Sequence, residues 1–163
     1  MTGIITAGID PGPENSALVI WDGERPLFFG DFANVELPYR FELIGGAHGV
    51  THWGIERIRG FGSKAGNETF DTCEWVGRFD LFLTMAVQNV VLIPRKTVIA
   101  HHCGHATAGD ADCWRALKYR FGEPGSKKAR GVFFGIGGKH LPAALAVAVY
   151  LWDLNETARE KSA

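Results

Sequence analysis

Short apolar segments separated by turn residues fill the first third of the chain, and longer amphipathic or continuously apolar segments follow. Ile4, Ile5 and Ile9 are β-branched and lead to Asp10, with Pro11-Gly12 immediately after. β-Branched residues favour strands, and Pro-Gly turns the backbone because proline presets φ while glycine accepts unusual φ. The pattern predicts a buried strand carrying a carboxylate at its tip. Ser16 to Trp21 predicts a second strand, closed by the turn pair Asp22-Gly23, and Leu27 to Phe32 a third, making an antiparallel meander. The stretch Asn34 to Val50 is ambiguous: Phe41, Leu43 and Ile44 could sit on a short helix, but Gly45, Gly46 and Gly49 limit its length. Thr51 to Arg59 predicts a fourth strand, with Glu56 set between Ile55 and Ile58, where an ionised carboxylate needs a partner.

Glu68 to Val87 carries Phe70, Cys73, Val76, Leu81 and Met85 near one stripe, widened by Trp75, Phe79, Phe82 and Leu83. It predicts a helix with more apolar surface than one core face requires. Asn89 to Pro94 is short and continuously apolar, which predicts a fifth strand covered on both faces and reached by a β-α-β crossover. His101-His102-Cys103-Gly104-His105 places four ligand-type residues within five positions. That spacing cannot easily close one zinc tetrahedron, so the segment reads as a loop that packs or approaches phosphate. Asp110 predicts the N-cap of a helix over Ala111 to Phe121, with Asp112 favouring the dipole in its first turn. The last helix is expected from about His140 to Ala158, with Pro142 tolerated in its first turn. Its apolar run, Leu141 to Trp152, spans about twelve residues and is too short to cross a bilayer.

With 163 residues, 46% hydrophobic and 21% charged, the composition predicts one globular domain over 1–163 and excludes a wholly disordered chain. Three cysteines, without a cationic start followed by an apolar run, predict reduced thiols and a cytoplasmic location. The net charge of −1 conceals an asymmetry: residues 1–56 carry two basic and eight acidic side chains, residues 57–139 thirteen basic and seven acidic. A near-neutral protein can thus present one basic face to nucleic acid. In the glycine-rich stretch Gly60 to Asn67, Phe61 could stack on a base and Lys64 touch a phosphate. The loop Gly122 to Gly131 adds Lys127, Lys128 and Arg130, cations suited to a phosphate backbone.

Asp10 at the end of the first strand, Glu56 inside the fourth and His140 at the start of the last helix resemble the RuvC family of Holliday-junction resolvases. Ile9-Asp10-Pro11-Gly12 matches that family's opening motif, and Ile55-Glu56-Arg57 its second acidic strand. Ala106 to Leu117 is similar to the start of its third helix, and His140 to Ala146 to its closing His-x-x-Asp-Ala-Leu-Ala helix. The basic stretch Ser126-Lys127-Lys128 is similar to phage-type members. The resemblance covers nearly the whole chain. It implies an α/β, ribonuclease H-like fold: a five-stranded mixed sheet, an antiparallel meander plus parallel strands, flanked by helices. It further implies a homodimer in a bacterial or phage-infected cytoplasm that binds branched DNA, above all four-way junctions. Cleavage of phosphodiesters would use two Mg²⁺ or Mn²⁺ ions. Asp10, Glu56 and His140 would be both catalytic residues and metal ligands. Arg59, Phe61, Lys64, Lys127, Lys128, Arg130 and Lys139 would contact DNA.

Two positions depart from the family pattern. Ala17 replaces a usual glycine, and Ala143 stands where the final acidic ligand is expected. Residues three apart share a helix face, so position 143 is expected to point at the same metal as His140. Asp110 and Asp112 are the next candidates for the lost ligand. The departure leaves room for a junction-binding protein with weak or lost cleavage, and for a nuclease acting on flaps or hybrids. Sugar kinases and actin-like ATPases also begin with an Asp-x-Gly strand, but they need two such domains.

Overall fold

The computed structural model describes residues 3–59, 64–86 and 89–162. Five strands, β1 (Thr6–Asp10), β2 (Asn15–Trp21), β3 (Pro26–Ala33), β4 (His52–Arg57) and β5 (Val90–Pro94), form one sheet in the order β3-β2-β1-β4-β5. The first three make the antiparallel meander, and β4 and β5 extend the sheet in parallel from β1. Five helices flank the sheet: α1 (Leu37–His48), α2 (Asn67–Ala86), α3 (Arg95–Cys103), α4 (Asp110–Phe121) and α5 (His140–Ser162). This is the mixed, helix-flanked α/β sheet expected from the sequence.

Side chains alternate between faces along a strand, and β2 divides its residues accordingly. Leu18 and Ile20 join Ile9, Trp53 and Ile55 beneath α1 and α2, packed on Phe41, Val76, Phe79 and Leu83. Ala17, Val19 and Trp21 face the other way, into a layer with Val98, Leu117, Ala144 and Val147 from α3, α4 and α5.

Helix α5 lies directly on the sheet backbone because the strands beneath it lack side chains at the crossing. Gly8 and Gly54 are register partners on β1 and β4. A Cβ on Gly8 would sit 2.1 Å from the Ala144 carbonyl oxygen, and one on Gly54 would sit 2.8 Å from Val147 Cγ1. Thr6 Oγ1 also donates to the Ala148 carbonyl at 2.8 Å. This close approach brings the start of α5, and with it His140, to the end of β1.

Several elements differ from the sequence expectation. The undecided segment 34–50 forms α1, because Gly45 packs its bare backbone against Trp53 and Gly49 ends the helix at φ +66°. His101 to Cys103 belong to α3 rather than to a loop. His102 Nε2 donates to the Ala146 carbonyl at 2.8 Å and His101 Nε2 lies 2.7 Å from Asp153 Oδ2, so these histidines fasten α3 to α5. Asp110 is the first residue of α4 and not its cap. Gly109 takes that place, and its N–H donates to Asp112 at 3.0 Å. Strand β5 is a sheet edge, so Val91 is 46% exposed where coverage on both faces was expected. Among the described residues no helix is long and apolar enough to cross a membrane.

Candidate functional site

The parallel register of β1 and β4 pairs Ile9 with Ile55, so the next residues, Asp10 and Glu56, lie side by side toward the C-terminal ends of these two central strands. The turn after Asp10 is fixed by a buried polar cluster. Gly12 N–H donates to Ser16 Oγ at 3.3 Å, Ser16 donates to Asn34 Oδ1 at 2.5 Å, and Asn34 Nδ2 closes the ring on the Gly12 carbonyl at 2.8 Å. Asp10 is thus held in place on the wall of a cleft of about 470 Å³.

His140, first residue of α5, sets Nδ1 2.8 Å from Asp10 Oδ2. Arg95, first residue of α3, follows directly on β5 and sends Nη1 to Glu56 Oε1 at 2.5 Å. Its Nε donates to Asp110 Oδ1 at 3.0 Å and its Nη2 meets Asp110 Oδ2. Asp10, Glu56, Asp110, Arg95 and His140 all line the cleft, together with Arg59, Lys96 and Lys139.

The electrostatics follow from burial. Asp10 and Glu56 are only 5% and 7% exposed. Desolvation pushes the Asp10 carboxyl up, against the hydrogen bond and charge of His140. Desolvation, reinforced by the Asp10 charge, pushes Glu56 up to about 7 even though Arg95 pulls the other way. Two carboxylates withdrawn from water into each other's field form a site that favours a cation. Carboxylate oxygens with one imidazole nitrogen are donors that suit Mg²⁺ or Mn²⁺. Among the described residues, however, no group of three or more His, Cys, Asp or Glu is arranged to hold a metal ion. Glu56 and Asp110 are both engaged by Arg95 instead.

The structure brings together Asp10, Glu56 and His140, with Arg59 and Lys139 on the rim of the same cleft. Lys64 is exposed and stands outside the cleft lining, and Phe61 lies outside the described residues. Lys127, Lys128 and Arg130 occupy a tight turn bridged between Gly125 and Arg130, also away from the cleft, with the Arg130 guanidinium 4.8 Å from the Phe134 ring centroid. Of the two reserve ligands, Asp110 lines the cleft, while Asp112 caps α4 and pairs with Arg115. Ala143 does not share the cleft with His140. It lines a neighbouring cavity of about 30 Å³ with Glu56, Arg95, Asp110, Cys113 and Lys139. Arg95 escaped the sequence reading. Its signal was a cation placed directly after an apolar strand, beside a strand-borne glutamate that needed a partner.

No protein-family model matches the sequence, and no curated protein matches it either. Solved structures do match in three dimensions. The structure of Thermus thermophilus RuvC superposes with a TM-score of 0.70 at 16% identity, covering 94% of this chain and 97% of that one. T. thermophilus RuvC in complex with Holliday junction substrate gives a TM-score of 0.70 at 18% identity, over 94% and 96% of the two chains. At such identities the likeness is one of fold, and the chain has a RuvC-like, ribonuclease H-like fold.

Proposed function

We propose that this chain is a divalent-metal-dependent endonuclease that cuts branched DNA, four-way junctions in particular, and acts as a homodimer. The observation that carries this reading is the pair of buried carboxylates, Asp10 and Glu56, side by side at the ends of two adjacent parallel strands with His140 against one of them. The fold shared with a RuvC that is seen on a Holliday junction supports the choice of substrate.

Bound Mg²⁺ or Mn²⁺ would supply Lewis acidity at the scissile phosphate and a more acidic water. Asp10 and Glu56 would be the anionic ligands for it, and His140 the nitrogen ligand or proton carrier. The Nδ1 contact to Asp10 orients the imidazole, which leaves Nε2 for a ligand or for a proton given to the departing oxygen. Arg59 and Lys139, which line the cleft, would contact the phosphates flanking the scissile bond. Lys127, Lys128 and Arg130, with Lys64 and Phe61, would extend the contact along the DNA arms. The exposed apolar face of α2 is the candidate dimer surface.

A panel of four-way, flap, hybrid and duplex substrates, each with Mg²⁺ and with Mn²⁺, tests the reading. Nicking of the four-way substrate that disappears in Asp10→Asn is the expected result. Tight junction binding without nicking in either metal would favour a binding protein, the reading that Ala143 and the engaged Glu56 support. Preferential cutting of flaps or hybrids would keep the nuclease and change its substrate.

A further inference from the structure

Arg95 holds two carboxylates that differ in how far they are withdrawn from water. Its Nη1 meets Glu56 Oε1 at 2.5 Å, and the Glu56 side chain is 8% exposed. Another edge of the guanidinium, Nε with Nη2, takes both oxygens of Asp110, whose side chain is 53% exposed. Such a two-pronged edge fits the paired oxygens of a carboxylate, and it fits the two unesterified oxygens of a phosphodiester in the same way. Asp110 can return to solvent at small cost, because a partly exposed ion pair contributes little. Glu56 cannot, because a buried carboxylate stripped of its cation is strongly disfavoured. Asp110 is therefore the exchangeable partner. Both residues line the cleft that holds Asp10 and His140, and Arg59 and Lys139 line it too. An anion entering this cleft meets several cations, and on Arg95 it finds Asp110 standing where its own oxygens would bind.

We propose that Arg95 is a phosphodiester-binding residue of the cleft and that Asp110 is its internal competitor: a backbone phosphate of DNA displaces Asp110 from the Nε–Nη2 edge while Nη1 keeps its hold on Glu56. The inference deepens the DNA-cutting reading above and rests on it. Because Glu56 stays attached, the captured phosphate is held beside the two strand ends that carry Asp10 and Glu56. In the free protein Asp110 satisfies the fork, so the cleft does not present an unpaired guanidinium. An anion must match the fork to take its place.

The test is an affinity cycle on the full chain with a four-way DNA junction. Metal-free buffer lets binding be read without cutting, and circular dichroism confirms the fold of each variant. Arg95→Gln should weaken binding roughly tenfold or more, the loss of a charged, two-pronged contact. It should also lower the magnitude of the log–log salt slope by about 0.9. Asp110→Asn should instead tighten binding, by up to about fivefold, the hold of a partly exposed ion pair. In the Arg95→Gln background the same change should gain nothing, because no competition is left to remove. If Arg95→Gln fails to fold, Arg95→Lys keeps a charge beside Glu56 and loses the fork. That variant should bind more weakly than wild type, and Asp110→Asn should gain less on it. A bridge that serves only the fold behaves differently: both single variants lower stability and neither tightens binding. Unchanged or weaker binding by Asp110→Asn, an equal gain in both backgrounds, or undiminished binding or slope in folded Arg95→Gln overturns the exchange and leaves the DNA-cutting reading standing. A wild-type protein with no affinity for the junction overturns that reading and this inference with it.

Discussion

His140 Nδ1 lies 2.8 Å from Asp10 Oδ2, joining the start of the last helix to the tip of the first strand across 130 residues of sequence. The carboxylate is 8% exposed and the imidazole 46%, so one partner is anchored and the other reaches the cleft. If the proposed function holds, a histidine so placed is a proton carrier or ligand rather than a support of the fold. His140→Ala should therefore lower single-turnover junction nicking by about 10²–10⁴-fold, the usual contribution of a positioned proton-transfer group, and leave junction affinity unchanged. Parallel loss of binding and cutting in a folded His140→Ala protein would show that the contact is structural.

The burial of Glu56 makes stability depend on pH in a stated direction. Its carboxyl titrates at about 7 in the folded protein against an ordinary 4.5. The folded state therefore binds the proton more tightly, and the stabilisation is present at low pH and lost as pH rises from about 4.5 to about 7. The loss is on the order of 3 kcal/mol, and Asp10, also raised by burial, adds in the same direction. Asp153, pushed up by burial but held to about 2 by hydrogen bonds from Arg120 and His101, titrates below this window. Burial holds His52 and His102 below the ordinary 6.5, which acts the opposite way at the acid end of this window. The signal is therefore a difference: relative to Glu56→Gln, the metal-free wild type should lose stability to urea between pH 5 and pH 8. Added Mn²⁺ should restore wild-type stability at pH 8. A difference between wild type and Glu56→Gln that stays constant across this window would mean that Glu56 is ionised at no cost.

The fold was legible because its strands are β-branched, short and punctuated by Pro11-Gly12 and Asp22-Gly23, signals that act locally. Asp10 and Glu56 were legible for the same reason, as carboxylates at or within apolar strands. What escaped the sequence depends on packing between distant elements. Helix α1 required knowing that Gly45 meets Trp53, and α3 required knowing that His101 and His102 find partners on α5. The place of Ala143 was expected from the family resemblance together with helix spacing from His140. Its true neighbour is set by Arg95, which reaches the site only through the order of β4 and β5 in the sheet. The ring of Ser16, Asn34 and Gly12 is likewise invisible until β2 and the end of β3 are paired with the turn.

Two groups of cations make different predictions for DNA binding. Lys127, Lys128 and Arg130 lie on an exposed turn outside the cleft, whereas Arg59 and Lys139 line it. Each phosphate contact contributes about 0.9 to the slope of log affinity against log salt on duplex arms. Alanine at 127, 128 and 130 should reduce that slope by up to about three units while leaving the nicking rate of bound junction intact. Arg59→Ala and Lys139→Ala should instead reduce the nicking rate at saturating protein. An unchanged slope in the triple variant would place the turn away from DNA.

Helix α2 turns Val76, Phe79 and Leu83 into the core and leaves Phe70, Leu81, Phe82 and Met85 outside, at 60%, 60%, 46% and 79% exposure. The last three surround an apolar depression at the end of the helix. Leaving such side chains in water forgoes roughly 25 cal/mol for each Å² of apolar surface, so a second copy of the chain gains by covering them. A dimer is the expected species in sedimentation at micromolar concentration. Phe82→Asp should yield a monomer that keeps its fold, because residue 82 is not part of the buried layer, and its circular dichroism should match the wild type. Two cleavage sites held at a fixed separation suit a four-way junction, so this monomer should nick junctions one strand at a time and bind them poorly. A wild-type monomer at that concentration, or a Phe82→Asp protein that still sediments as a dimer, would move the interface off this face of α2.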